Sequence, residues 1–312
     1  MCSKQSIYRA TVSAKVAAGR DIVLLTLVPE AGDSLPVAQA GAHIDVHLPD
    51  GGVRQYSLLS ASPYQIAVKN VRDGRGGSRW LHDDVREGDV LTIGTPRNNF
   101  SLRPDSSDVL LLAGGIGVTA LLFMYRQLTG QGRNVHLHYW IKSSADALLF
   151  DQLVGLEHVT LHECGGRVVS MRSLIAQCPA GTDVYCCGPT RMLEEFASIT
   201  RDLPPEKVHV ERFAPVVTAD GVTDRPCHLK LARSGMEIEA EPGQTLLEAL
   251  IAAGVDMDYS CEEGLCGACE TRVLAGQPLH LDTVRSPAEH DRLHTIMPCV
   301  SRSRSDELTL DL

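Results

Sequence analysis

The sequence contains no apolar run approaching the ~20 residues that a membrane-spanning helix requires, so no membrane segment is expected. Its opening, MCSKQSIYRATVSAK, lacks the apolar core and small-residue cleavage site of a signal peptide, and the chain reads as cytoplasmic. Basic residues are in short supply: 29 Lys and Arg stand against 39 Asp and Glu, a formal charge of −10. A surface that negative repels phosphate backbones, which argues against a nucleic-acid partner. Internal repeats and low-complexity tracts are also missing. What remains is the profile of a globular protein, 44% hydrophobic and 22% charged, whose 312 residues suffice for two or three domains.

The charge is unevenly spread. From Pro226 to Leu312 there are 7 Lys and Arg against 15 Asp and Glu, so −8 of the −10 lies in the last 87 residues. That end could steer a basic protein surface toward itself, or be a solvated face that maintains solubility. Ten cysteines without an export signal argue for thiolates with a chemical task rather than a disulfide framework. Six are scattered: Cys2, Cys164, Cys178, Cys186, Cys187 and Cys227.

Three segments separate on texture. Residues 1–104 alternate in short stretches such as Ile22–Leu27 and Tyr64–Val68, punctuated by turns such as Leu48-Pro49-Asp50-Gly51-Gly52, which suggests a small antiparallel barrel. From 105 to 222 the pattern is strand–helix alternation, opened by the apolar run Val109–Ala113, which implies an open parallel α/β sheet. Ala214–Pro226 is aperiodic and reads as a linker to a third domain over 226–312.

In that third domain Cys261, Cys266 and Cys269 have the spacing C-x4-C-x2-C, with Cys299 distant. This is the plant-type [2Fe–2S] ligation pattern. Gly264 and Gly267 let the loop backbone approach a cluster without Cβ clashes. A four-cysteine zinc site would use paired C-x2-C knuckles, and only one such pair is present.

Gly114-Gly115-Ile116-Gly117-Val118-Thr119 follows the apolar strand and leads into a helix, a turn at which a diphosphate can approach free N–H groups. It is not the G-x-G-x-x-G fingerprint, no acidic residue is evident to hold a ribose, and alone it leaves an ordinary tight turn open. A second strand, Asp183–Cys187, also ends in Gly188-Pro189, and two glycine-terminated strand ends point at one crevice. Cys187 would lie at its lip, unless it is simply a small buried hydrophobe.

Together with Arg54-Gln55-Tyr56-Ser57, Val68-Lys69, Arg75-Gly76-Gly77-Ser78, Pro96–Phe100, Glu211-Arg212-Phe213 and the ending Glu307–Leu312, these elements form an ordered series over the whole chain. The chain resembles the phthalate dioxygenase reductase family, vanillate O-demethylase reductases included, which are fused members of the ferredoxin–NADP reductase superfamily. The resemblance implies a multidomain protein: an antiparallel β-barrel flavin domain, an α/β nicotinamide domain and an α+β β-grasp ferredoxin domain.

It also implies residue roles. Arg54 pairs with the flavin phosphate, within a strand that includes Gln55; Tyr56 packs on the isoalloxazine and Ser57 lies near its N5. Val68, Lys69 and Asn70 run beside the ring, and Gly76, Gly77 and Ser78 hold the phosphate. Thr119 and Phe213 approach the ring from the nicotinamide side, where Gly114, Gly115, Gly117, Cys187, Gly188 and Pro189 receive the dinucleotide. The flavin is expected to be FMN, with FAD open. NADH is expected, with NADPH possible because Trp140-Ile141-Lys142-Ser143-Ser144 could tolerate a 2′-phosphate. Ala214 replaces the family's glycine after Phe213.

The expected function is the reductase component of a Rieske-type oxygenase system, a monomer passing single electrons from the cluster to its oxygenase partner. No catalytic acid or base is nominated, since the cofactors carry the chemistry. A standalone diaphorase or ferric reductase, and a redox-sensing binding protein, are the rivals.

Overall fold

Alternation in the first hundred residues resolves into strands whose apolar sides face one another. The chain is represented by a computed structural model that describes residues 6–31, 34–164, 169–215 and 225–312. Cys2, the boundary expected at 222 and most of the expected linker lie outside the described residues. The structure divides into one unit from Ser6 to Arg212 and another from Phe213 to Leu312.

The first unit opens with β1 (Ile7–Gly19), β2 (Ile22–Pro29), β3 (His43–His47), β4 (Val53–Ala61), β5 (Tyr64–Lys69) and β6 (Val90–Gly94). They close antiparallel in the order β1-β2-β5-β4-β3-β6, the expected barrel. Leu25, Leu27, Ile44, Val46, Leu58, Ile66, Val68 and Ile93 fill it, and Leu81 of the short helix α1 (Gly77–Asp83) packs on the same core. Closure leaves no long unpaired edge. A bulge in β4 leaves Leu59 unpaired between Leu58 and Ser60, and Leu59 joins a second core instead.

That second core belongs to the parallel sheet of β7 (Asp108–Gly114), β8 (Asn134–Ile141), β9 (Val159–Glu163), β10 (Asp183–Cys187) and β11 (Val208–Glu211). The order is β11-β10-β7-β8-β9. Helices α2 (Val118–Gly130), α3 (Phe150–Leu153), α4 (Met171–Ala176) and α5 (Thr190–Ile199) accompany it. α2 buries Val118, Leu121, Leu122 and Leu128 with Leu111, Leu137 and Tyr139, while Leu193 and Phe196 of α5 meet Leu110, Leu112 and Val184 on the other face. Continuous apolar strands are what burial on both faces demands. Strand order reverses between β7 and β10, which makes a switch point at the carboxyl ends of these two strands.

The second unit contains β12 (Cys227–Leu231), β13 (Glu237–Ala240), α6 (Leu246–Ala252), β14 (Thr271–Ala275), β15 (Pro278–Leu279), α7 (Pro287–Leu293), β16 (Thr295–Ile296), β17 (Arg302–Ser303) and β18 (Glu307–Leu310). Its mixed sheet runs β13-β12-β18-β14-β16, with β12 and β18 parallel. Leu246, Leu247 and Leu250 of α6 bury against Leu229, Leu231, Leu308 and Leu310, the α+β arrangement expected of this segment. Both helices begin in capping boxes, Thr245 with Glu248 and Ser286 with Glu289. Among the described residues no helix is long and apolar enough to cross a membrane.

Candidate functional site: a flavin shelf, a nucleotide crevice and a four-cysteine loop

In the barrel, β4 presents Arg54, Gln55, Tyr56 and Ser57 opposite Val46, Asp45, Ile44 and His43 of β3. Arg54 is brought against the glycine turn: its Nη2 donates to the Arg75 carbonyl at 3.1 Å, and a Cβ on Gly77 would stand 2.8 Å from its Cγ. Gly76 has φ +86° with open space around it, so the turn combines a fork of guanidinium donors with exposed backbone. Ser78 Oγ accepts the Val71 N–H at 3.0 Å and so fixes the far side of this turn. The Tyr56 phenol is pushed up to about 12 by burial, against the lowering charge of Arg54.

Three polar atoms here are buried without a partner, His43 Nε2, Ser57 Oγ and Asn70 Oδ1. Buried polar groups are ordinarily satisfied, so orphans beside one shelf are what a polar ligand edge would complete. Val68 lies in the barrel core, its carbonyl facing His82 Nε2 at 2.7 Å, while Lys69 is exposed at the end of β5. Gln55 is turned inward: its Nε2 donates to Asp45 at 2.7 Å, and Asp45 also receives both Arg97 guanidinium nitrogens at 2.8 Å. This buried pair, which sequence reading missed, holds β3, β4 and the Arg97 segment together beneath the shelf.

At the switch point the two glycine-ended strands touch. A Cβ on Gly114 would stand 2.7 Å from Pro189 Cδ and 3.3 Å from Gly188 Cα, and one on Gly117 would stand 2.6 Å from the Cys187 carbonyl carbon. Only glycine permits that approach. Gly115, at φ +53°, faces open space, and Thr119 anchors the first turn of α2 by donating from Oγ1 to the Ile116 carbonyl at 2.9 Å. Cys187 is wholly buried and its thiol is raised well above the usual range by burial and by Glu211.

Glu211 lies directly opposite Cys187 in the β10–β11 pairing. Its Oε2 is buried without a partner, and burial pushes the carboxyl up to about 8. In the sequence Glu211 stands only as part of the Glu211-Arg212-Phe213 motif; no local signal announces a carboxylate that a parallel strand carries to a glycine crevice. Glu163 was likewise missed. It ends β9, and its Oε1 accepts the Ser144 N–H at 3.2 Å just beyond β8. Phe213 is 45% exposed and belongs to the second unit.

In the second unit the four cysteines of the motif are all buried and converge. Cys269 Sγ lies 3.4 Å from Cys299 Sγ, across thirty residues of chain. The N–H groups of Glu263 and Leu265 point at Cys261 Sγ at 3.4 and 3.5 Å, and that of Ala268 at Cys266 Sγ at 3.5 Å. The hydrogen bond between Cys266 and Cys261, helped by those amides, holds the Cys261 thiol down at about 6 against burial. Gly264 (φ +68°) and Gly267 (φ +71°) give the loop its curvature. Four sulfurs in one pocket ringed by amide donors fit a two-iron cluster, whose charge such N–H groups stabilise.

Comparison with known proteins agrees with this layout. The family of 2Fe–2S iron–sulfur cluster binding domains matches residues 229–304. Phenoxybenzoate dioxygenase subunit beta of Ectopseudomonas oleovorans is 41% identical over 299 residues, covering 94% of this chain and 93% of that protein. The solved structure of phthalate dioxygenase reductase, described as modular for electron transfer from pyridine nucleotides to [2Fe–2S], is 35% identical with a TM-score of 0.70 and 98% coverage of both chains. An intact type IV self-sufficient cytochrome P450 monooxygenase is 36% identical with a TM-score of 0.90; the match covers 98% of this chain and 41% of that longer one.

Proposed function

The chain belongs to the phthalate dioxygenase reductase family, and from that premise we propose that it takes hydride from NADH onto FMN and delivers single electrons through a [2Fe–2S] cluster to an oxygenase. The observation that carries this is the convergence of Cys261, Cys266, Cys269 and Cys299 in the same chain as the glycine crevice at the β7–β10 switch point. When bound, the flavin accepts an electron pair as hydride and the cluster takes electrons one at a time, which is why both are needed between a two-electron donor and a one-electron acceptor.

The residues divide the work. Arg54, with the Gly76-Gly77-Ser78 turn, holds the flavin phosphate, and a turn built for one phosphate favours FMN over FAD. Tyr56 packs on the ring, Ser57 and Asn70 satisfy its polar edge, Val68 and Lys69 run beside it through backbone atoms, and Gln55 supports the shelf from beneath through Asp45. Gly114, Gly115, Gly117, Gly188 and Pro189 admit the dinucleotide, and Thr119, Cys187 and Glu211 border its reactive end. Glu163 favours NADH, since a carboxylate accepts from a ribose hydroxyl but repels a 2′-phosphate; exposed Lys142 opposes it only weakly. The modules of this reading span 1–104, 105–222 and 226–312, in a monomeric cytoplasmic protein.

The oxygenase partner follows from the relatives, and we favour a Rieske-type one. A second reading, delivery to a cytochrome P450, is supported by the TM-score of 0.90 to the self-sufficient P450 enzyme. A standalone diaphorase would have no use for an outgoing one-electron relay. The test is compositional and kinetic together. Purified protein should carry about two irons per flavin, release FMN on acid extraction, and turn over a Rieske oxygenase with NADH. Zinc in place of iron would end this reading, and release of FAD would correct the flavin assignment.

A further inference from the structure

Against the cysteine loop lies a group of side chains that the proposed function leaves unused: His280, Asp282 and His290. His290, from α7, and Asp282 are buried to 1% and 0% side-chain exposure, and His290 Nε2 lies 2.9 Å from Asp282 Oδ1. The other ring nitrogen, Nδ1, faces the Thr295 carbonyl at 3.1 Å. A carboxylate and a carbonyl can only accept, so both ring nitrogens face acceptors and the ring is held from two sides.

The three residues have ligand atoms within 4.8 Å of one another, but they do not make a cation site. Both His290 nitrogens are committed to oxygen acceptors. His280 lies flat on His290, centroids 3.6 Å apart and planes 9° from parallel, so one ion could not lie in both ring planes.

Asp282 is instead a hub. Besides His290 it accepts from the N–H groups of Val284 and Arg285, both at 3.2 Å, and from Ser301 Oγ at 3.5 Å. Arg285 continues the network to Glu270, beside Cys269, with bonds of 3.1 and 2.7 Å. On its other side the hub leans on the cysteine loop. A Cβ on Gly264 would stand 3.1 Å from Asp282 Cα, the Thr283 N–H donates to the Gly264 carbonyl at 3.0 Å, and the flanking Glu263 and Leu265 N–H groups point at Cys261 Sγ at 3.4 and 3.5 Å.

We propose that the buried Asp282–His290 pair is a positioning device for the iron–sulfur loop, clamping the Gly264 peptide so that the N–H groups of Glu263 and Leu265 stay on the Cys261 sulfur and thereby setting the reduction potential of the cluster. Donors to cluster sulfurs stabilise the more negative, reduced state, so loosening the clamp lowers the potential. The inference rests on the iron–sulfur reading above.

The experiment is a redox titration of the full-length, cluster-loaded protein, with electron paramagnetic resonance of the reduced cluster. Asp282→Asn keeps the size of the side chain and removes its negative charge, which by itself would raise the potential of a nearby cluster. A shift to more negative potential therefore reports geometry. The expected result is full iron content, unchanged flavin reduction by NADH, a midpoint moved to more negative potential, an altered resonance line shape and severalfold slower reduction of cytochrome c. If Asp282→Asn loses iron, His290→Gln, which keeps an N–H donor for Asp282, carries the test through the resonance line shape, which reports the geometry of the cluster. An unchanged midpoint and line shape in either variant with full iron overturns the proposal. Absence of a two-iron cluster from the unmodified protein would sink the functional reading along with it, and the iron content of that protein tells the two failures apart.

Discussion

A carboxyl pushed up to about 8, as that of Glu211 is, binds its proton at neutral pH and has consequences that can be measured without any cofactor. Its folded-state affinity for the proton exceeds the unfolded one, so the stability it contributes is fully present below about 4.5 and is lost as pH rises to about 8. Glu211→Gln removes that titration. Its stability relative to the parent should therefore climb across this window by on the order of 1–3 kcal/mol, as urea unfolding at several pH values would show. A constant difference across the window would mean that Glu211 is solvated. Residues of this kind were the least legible in the sequence. The cysteine motif could be read because three of four ligands lie within nine residues and their spacing is itself the signal. Glu211, Glu163, Asp282 and His290 owe their surroundings to strand ends and helices far away in the chain, and nothing local marks them.

At the scale of elements the sequence was more generous. The alternation of β2 and β5, and the unbroken apolar run of β7, follow from burial on one face or on two, and each formed the expected kind of strand. Pairing was not legible: that β1 bridges β2 and β6 to close the barrel, or that Leu59 leaves the ladder, depends on register. The start of α6 rests on a local device that the sequence analysis did not single out: Thr245 and Glu248 satisfy each other's backbone N–H at 3.0 and 2.7 Å. Thr245→Ala should cost about 1 kcal/mol. The loss should be confined to the unfolding transition of the C-terminal unit, seen by circular dichroism during chemical denaturation. A shift in the transition of the first unit would show that the cap serves something other than α6.

For the whole molecule the governing asymmetry is charge. The C-terminal 87 residues hold −8 of the −10, and Glu262, at φ +56°, is exposed on the cysteine loop beside half-buried Glu263. We expect this end to meet a basic surface of the oxygenase. Complementary fields raise association rates more than affinity and fade as salt shortens the Debye length. Electron transfer to the oxygenase should slow with ionic strength, flavin reduction by NADH should not, and Glu262→Gln with Glu263→Gln should flatten the dependence. A rate unchanged between roughly 10 mM and 0.5 M salt would leave the acidic face a matter of solubility alone. The order of electron flow through the molecule is the larger claim, and one measurement bears on it most directly: anaerobic stopped-flow of Cys266→Ser with NADH and a one-electron acceptor protein. The account predicts that flavin reduction keeps nearly its full rate while reduction of the acceptor is abolished. Loss of flavin reduction in a folded variant, or acceptor reduction at the parent rate without a cluster, would contradict it.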